Sequence, residues 1–161
     1  MRKEKINILT EELIKVAPIT GVSSTNNDND WIVWLPEDAT QAQRDACDAI
    51  VANASKIFER VEALENLDDE FDAKIAAGFL VQQAGFRLGL TMQDLTLLSS
   101  LFILAKECST MGLPIPSIVD MNGVAYDLSI NDLTTVMLMY GQYRASLSAE
   151  YAAKKKQILE G

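Results

Sequence analysis

The alternation of apolar and polar positions changes period several times along the chain, and each change marks an element. Leu9, Leu13 and Val16 share one helical face, Thr10 can cap a helix, and Pro18 stops the run, so a short helix is expected over residues 10–16. Residues 19–23 read as a strand. Ser24-Thr25-Asn26-Asn27-Asp28-Asn29-Asp30 is a turn-forming run hostile to helix and sheet. Trp31-Ile32-Val33-Trp34-Leu35, aromatic and β-branched, is the second strand of the resulting hairpin. Alternation along that strand turns Trp31 and Trp34 to opposite faces.

After Pro36, Thr40-Gln41-Ala42-Gln43 has the form of a capping box, with the Thr40 hydroxyl accepting from the Gln43 amide and the Gln43 side chain reaching back. No helix breaker follows until Gly78. Ile50, Ala54, Ile57, Val61 and Leu64 recur at spacings of four, three, four and three, the stripe of a coiled coil. Leu67, Phe71 and Ile75 extend the apolar face with a register shift near Asp68-Asp69-Glu70. The pattern fits one long helix or two joined at that acidic run.

Beyond Gly78 the chain repeats itself at a constant offset of 38 positions, Gly85 matching Gly123. Leu90 matches Leu128, Thr91 matches Ser129 as a helix cap, and Asp94, Leu95 and Thr96 match Asp132, Leu133 and Thr134. Each copy reads as strand, tight turn, strand and capped helix, with Asn122-Gly123 the strongest hairpin signal because both residues tolerate positive φ. The first repeat helix, from Thr91 to about Met111, is apolar nearly all round and is expected to be largely buried. Gly112 ends it, and Pro114 and Pro116 stiffen the link to the next hairpin. The last helix carries Leu133, Met137, Tyr140, Leu147 and Tyr151 on one face and Lys154-Lys155-Lys156, a solvated terminal cluster, near its end.

The expected fold class is α+β. Residues 1–39 form a small helix–hairpin module, residues 40–77 a coiled-coil-like stalk of one helix or two, and residues 78–161 a module of two β-hairpin–α-helix units.

Composition narrows the function. The 161 residues are 48% hydrophobic and 23% charged, values of a folded domain, and the net charge is −9. So acidic a chain lacks the basic surface that nucleic acid or an anionic membrane would need. No run approaches the roughly 20 apolar residues of a membrane-spanning helix. No apolar signal core follows the charged start, so a cytoplasmic protein is expected. Cys47 and Cys108, each within a helical pattern, are expected as reduced, buried thiols.

The sequence contains no histidine, which removes the usual general base and the commonest metal ligand. It has no phosphate-binding glycine loop and no Cys-x-x-Cys pair. The acidic run at Asp68, Asp69, Glu70 and Asp72 lacks the spacing of a calcium loop and reads as a solvated, helix-interrupting segment. No catalytic residue, cofactor or metal site is expected. The surfaces expected to bind a partner or a second copy are the stripe of Ile50, Ile57, Val61 and Leu64, together with Trp31, Trp34, Tyr140 and Tyr151.

Several segments resemble a domain of tailed bacteriophages found on tail-fibre proteins and on short proteins encoded beside them. They are Phe71-Asp72-Ala73-Lys74-Ile75-Ala76-Ala77-Gly78-Phe79, Gly85-Phe86-Arg87, the apolar helix ending at Gly112, the Asp120-Met121-Asn122-Gly123-Val124 hairpin and Lys154-Lys155-Lys156-Gln157-Ile158. Ala17-Pro18-Ile19, Gly21-Val22-Ser23, the Trp31 strand and Pro36-Glu37-Asp38-Ala39-Thr40 are similar to a segment common in such proteins. The tryptophan usual in the second hairpin is missing, and a long helix replaces what is often a proline-rich linker. The resemblance implies a fibre-assembly chaperone or adaptor in the host cytoplasm, binding a phage tail-fibre protein. Its alternatives are a permanent component of the virion tail and a carbohydrate-binding receptor module.

Overall fold

The computed structural model describes residues 2–24 and 30–161. The fold class is α+β, as the pattern predicts: these residues form five helices and three two-stranded antiparallel hairpins. The chain divides into two compact units, residues 1–65 and 66–161.

In the first unit, α1 (Arg2–Leu13) precedes the hairpin of β1 (Gly21–Ser24) and β2 (Trp31–Trp34), and α2 (Gln41–Ala52) follows it. The strands pair as expected, with Gly21 opposite Trp34 and Ser24 opposite Trp31. Residues 25–29 of the expected turn lie outside the described residues. Thr10 does not cap a helix, for α1 begins eight residues earlier, and the Thr10 hydroxyl donates back to the Ile6 carbonyl at 2.7 Å. The Thr40 capping box forms as the spacing predicts: the Thr40 amide donates to Gln43 Oε1 at 2.9 Å and the Gln43 amide to Thr40 Oγ1. Leu9, Leu13, Ala17, Trp31, Cys47 and Ala54 make the core, and Trp31 packs at 5.5 Å between ring centres against Phe58.

The long helical stretch is two helices, α2 and α3 (Ala54–Ala77), but they meet at Asn53 rather than at the acidic run. The Asn53 side chain donates to the Ala49 carbonyl at 2.8 Å, and its backbone leaves helical geometry at φ −103°, ψ 10°. An asparagine amide competes with the helix for backbone carbonyls, which explains the break. Asp68, Asp69 and Glu70 continue α3 without interruption.

In the second unit, the C-terminal part of α3 is followed by the β3 (Phe79–Val81) and β4 (Phe86–Leu88) hairpin and by α4 (Met92–Met111). The β5 (Ile118–Val119) and β6 (Ala125–Tyr126) hairpin and α5 (Ile130–Glu160) complete it. Phe79, Val81, Phe86 and Leu88 all turn to one face and are buried, while Leu80 and Arg87 turn out. Gly78, at φ 71°, ends α3 where a Cβ would lie 2.7 Å from the Leu88 carbonyl oxygen. Arg87 then caps the helix, donating to the Ala77 carbonyl at 2.9 Å. Beneath the hairpins lie Leu90, Leu98, Ala105, Ile118, Leu133, Val136, Tyr140 and Leu147. Each large apolar side chain among them contributes about 2 kcal/mol by burial.

Both repeat caps form. Thr91 and Asp94 make a complete capping box, and Ser129 accepts from the Asp132 amide at 3.1 Å. The hairpins are joined by the Met121 amide donating to the Arg87 carbonyl at 2.9 Å and by Tyr126 stacked on Phe86 at 4.3 Å. The Asn122-Gly123 turn forms with positive φ at Gly123 alone. Asp120 organises it instead, its Oδ1 accepting from the amides of Asn122 and Val124 at 2.8 Å each. Gly112, at φ 68°, ends α4, and the Leu113 amide donates to the Cys108 carbonyl.

Candidate interaction surface

The largest departure from the sequence pattern is α4. A helix apolar all round was expected to be mostly buried, yet only Leu98 and Ala105 are fully so, with Leu95, Leu101 and Phe102 partly covered at the core margin. Leu97 is 61% exposed, Ile103 64%, Leu104 53% and Met111 68%. The cause is coverage: α5 packs against one side of α4 over the core they share with the hairpins, and no other element of the second unit covers the rest. Large apolar side chains left in water at this density mark contact surfaces in folded proteins.

Seven of the eight residues singled out by the sequence fall into three groups. Trp31 and Tyr140 serve the interior: Tyr140 is 1% exposed, and its hydroxyl donates to the Gly89 carbonyl. Ile50 lies at the margin of the first core next to buried Ala54, while Ile57, Val61 and Leu64 are half-buried on α3. Trp34 is 58% exposed, and its cross-strand neighbour Gly21 has no side chain to shield the indole. Leu97, Leu104 and Met111 were not singled out. Their signal was present as a spacing of seven residues, hidden because neighbouring positions are apolar as well.

Tyr151 lies on an ionic seam between the C-terminal part of α3 and α5. Its hydroxyl donates to the Asp68 carboxylate at 2.5 Å, and its ring packs on Phe71 at 4.7 Å. Lys154 reaches Glu70 at 3.0 Å and Glu150 at 3.1 Å, and Lys74 reaches Glu70 at 2.9 Å and Glu150 at 3.0 Å. Hydrogen bonds first from Lys74 and then from Lys154 hold the Glu70 and Glu150 carboxyls below their ordinary range. The same bonds, led by Glu70, raise both lysines. The acidic and basic runs, expected as two solvated clusters, are therefore in part each other's partners. Lys155 and Lys156 keep the expected exposure, Lys155 donating to the Tyr151 hydroxyl at 3.2 Å and Lys156 lying 3.7 Å from Glu160.

Groups that carry chemistry are sparse. Among the described residues no group of His, Cys, Asp and Glu is placed to hold a metal ion. Cys47 is buried as expected, and desolvation pushes its thiol upward, away from the reactive thiolate. Cys108, expected to be buried, is half-buried on α4. No described helix is long and apolar enough to cross a membrane. No protein-family model, curated protein or solved structure matches the chain.

Proposed function

We propose that this chain is a non-enzymatic protein that works by binding another protein along α4, as a chaperone or adaptor in the assembly of a bacteriophage tail fibre. The observation that carries the binding role is the exposed row of Leu97, Leu104 and Met111 on a helix fixed at both ends, by the Thr91–Asp94 box and by Gly112. A rigid helix with an apolar face in water loses little freedom on docking, so contact area converts efficiently to affinity. The partner is drawn from the resemblance of the Phe71–Phe79, Gly85–Arg87 and Asp120–Val124 segments to the tail-fibre-associated phage domain. Fibre chains expose strand edges and apolar surface before they intertwine, and a soluble acidic partner would keep them from aggregating.

Co-expression with the fibre protein encoded beside it tests the reading. The expected result is a complex that co-purifies and raises the yield of soluble fibre, with Leu97→Asp abolishing both. A fibre equally soluble and correctly assembled without this chain, and no complex, overturns it. Mass spectrometry of purified particles separates a chaperone, absent or substoichiometric, from a permanent tail component in fixed copy number.

A further inference from the structure

Leu97, Leu101, Leu104, Cys108 and Met111 recur on α4 at spacings of four, three, four and three. At 3.6 residues per turn they lie within about 80° of arc, roughly 100° around the helix from the buried Leu98–Ala105 line. This is a heptad seam on a helix shoulder, with three of its five members more than half exposed. We propose that in the free protein this seam is covered by the α4 seam of a second copy, the two helices antiparallel about a two-fold axis between Leu101 and Leu104. The proposal rests on the reading of α4 as a binding face and names its occupant when no fibre chain is present.

Three observations favour a second copy. The first is charge. Two molecules of net charge −9 repel over most of their surfaces, and the approach must be made where charge is absent. The stretch from Leu95 to Ala105 contains no charged residue. The second is self-complementarity. Antiparallel pairing about that axis sets Leu101 against Leu104 of the other copy and Leu97 against its Cys108, so the four central layers are apolar on both sides and self-complementary, as an isologous interface requires. Parallel pairing would instead face Asp94 with its own copy at the start of the seam, a like-charge contact; antiparallel pairing faces it with Met111. The third is area. The seam together with Leu113 offers about 100 Å² for each of its four exposed side chains, on the order of 400 Å² in all, an area at the low end for specific interfaces and in keeping with weak, micromolar self-association.

Sedimentation equilibrium of the purified full chain, without any fibre protein, tests the proposal. The expected mass is twice the 17.7 kDa of the chain at concentrations above about 10 μM. Leu104→Glu is expected to weaken association by about 100-fold or more, because two buried carboxylates would face apolar neighbours, while Leu104→Met keeps the dimer. Leu104 is 53% exposed in the monomer, so the circular dichroism of Leu104→Glu should match the parent, and so should its thermal midpoint at concentrations low enough for the parent to be monomeric. For register, a short bismaleimide should join Leu97→Cys to native Cys108 of the other copy and leave the parent chain uncrosslinked, since its two Cys108 residues would be roughly 20 Å apart. A parent chain that stays monomeric, a dimer indifferent to Leu104→Glu, or ready Cys108–Cys108 crosslinking overturns the proposal. A monomer whose fibre binding is lost in Leu104→Glu overturns the second copy and leaves the proposed function standing. A dimer that binds no fibre does the reverse.

Discussion

The Tyr140 hydroxyl donates to the Gly89 backbone carbonyl across 2.9 Å, joining two positions 51 residues apart. Tyr140 also meets Phe79 edge-on, with ring centres 5.8 Å apart, and one turn further along α5 Arg144 donates to the Leu90 carbonyl. Two side chains of α5 thus hold the short link between β4 and α4 and so fix where α4 begins. Tyr140→Phe removes the hydrogen bond while keeping the packing, and is expected to cost about 1 kcal/mol. Tyr140→Ala removes both and is expected to cost about 3–5 kcal/mol. Urea unfolding followed by far-ultraviolet circular dichroism measures each. A Phe variant as stable as the parent would show that the Gly89 carbonyl does not depend on the tyrosine.

Gly89 has a second role beside that carbonyl. A Cβ at this position would run into the Asp94 carboxylate, which accepts from the Thr91 amide at 2.9 Å and from the Thr91 hydroxyl at 2.6 Å. Gly89→Ala should therefore displace the cap and destabilise by about 1–2 kcal/mol, with faster amide exchange in the first turn of α4. Gly141 gives the contrast: it lies within α5, and a Cβ there meets nothing within 4 Å. Gly141→Ala should stabilise by about 0.5–1 kcal/mol through helix propensity. Opposite signs from two glycine-to-alanine changes are measured by thermal midpoints in one buffer.

Acid should weaken the second unit through three carboxylates. The Val124 amide first, and the Asn122 amide after it, hold the Asp120 carboxyl below its ordinary value near 3.8. Glu70 and Glu150 are held below 4.5 by Lys74 and Lys154. A carboxyl whose folded value is depressed binds fewer protons folded than unfolded, so its contribution is complete above the unfolded value and is lost as pH falls through the folded one. The lysines have the opposite sign: raised above 10.5, their contribution is complete below that value and fades as pH rises through the folded one. The thermal midpoint should form a plateau between these limits and fall below about pH 4.5. Glu70→Gln should lower the plateau in dilute buffer and do little in 1 M salt, where screening acts within about 3 Å. Asp120→Ala should flatten the acid limb at either salt concentration, because its partners, the Val124 and Asn122 amides and the Asn122 and Tyr126 side chains, are uncharged. A Glu70→Gln effect that persists in 1 M salt would contradict the exposed geometry of the seam.

Elements signalled by local grammar are legible in the sequence: the Thr40 box, the Thr91 and Ser129 caps, the β1–β2 and β3–β4 hairpins, and the helix stop at Gly112 each depend on residues a few positions apart. Elements decided by a distant partner are not legible in this way. The first turns of α1 are dominated by charged residues, with only Ile6 and Leu9 on the face of Leu13, so no capping residue or dense apolar stripe marks the start of the helix. Asn53 breaks the long helix through one side-chain bond that no period count registers, whereas Asp68-Asp69-Glu70 stays helical, with Tyr151 bonded to Asp68 and Lys74 and Lys154 to Glu70. For the interaction surface the difficulty was of a different kind. An all-apolar helix states that its faces can be covered, and only the packed neighbours determine which of them are.

Trp31 and Trp34 sit three residues apart on one strand and should behave as two different probes. Trp31 is 9% exposed and packs against Phe58 within the core of the first unit, whereas Trp34 is 58% exposed beside Gly21. Trp31→Ala should cost about 3–5 kcal/mol, enough to unfold much of the first unit, because it leaves a cavity among Leu9, Leu13 and Cys47. Trp34→Phe should change stability by no more than about 0.5 kcal/mol, since it removes surface already in water. It should also remove the red-shifted, acrylamide-quenchable part of the fluorescence and leave the blue-shifted Trp31 emission. The same variant bears on carbohydrate binding, because an exposed indole beside a glycine is a flat face on which a sugar can stack. Glycan-array hits lost in Trp34→Ala, with the thermal midpoint unchanged, would assign that face to a sugar. An empty array would leave Trp34 as apolar surface for protein contact, and its quenching by acrylamide should then fall when a fibre chain is added.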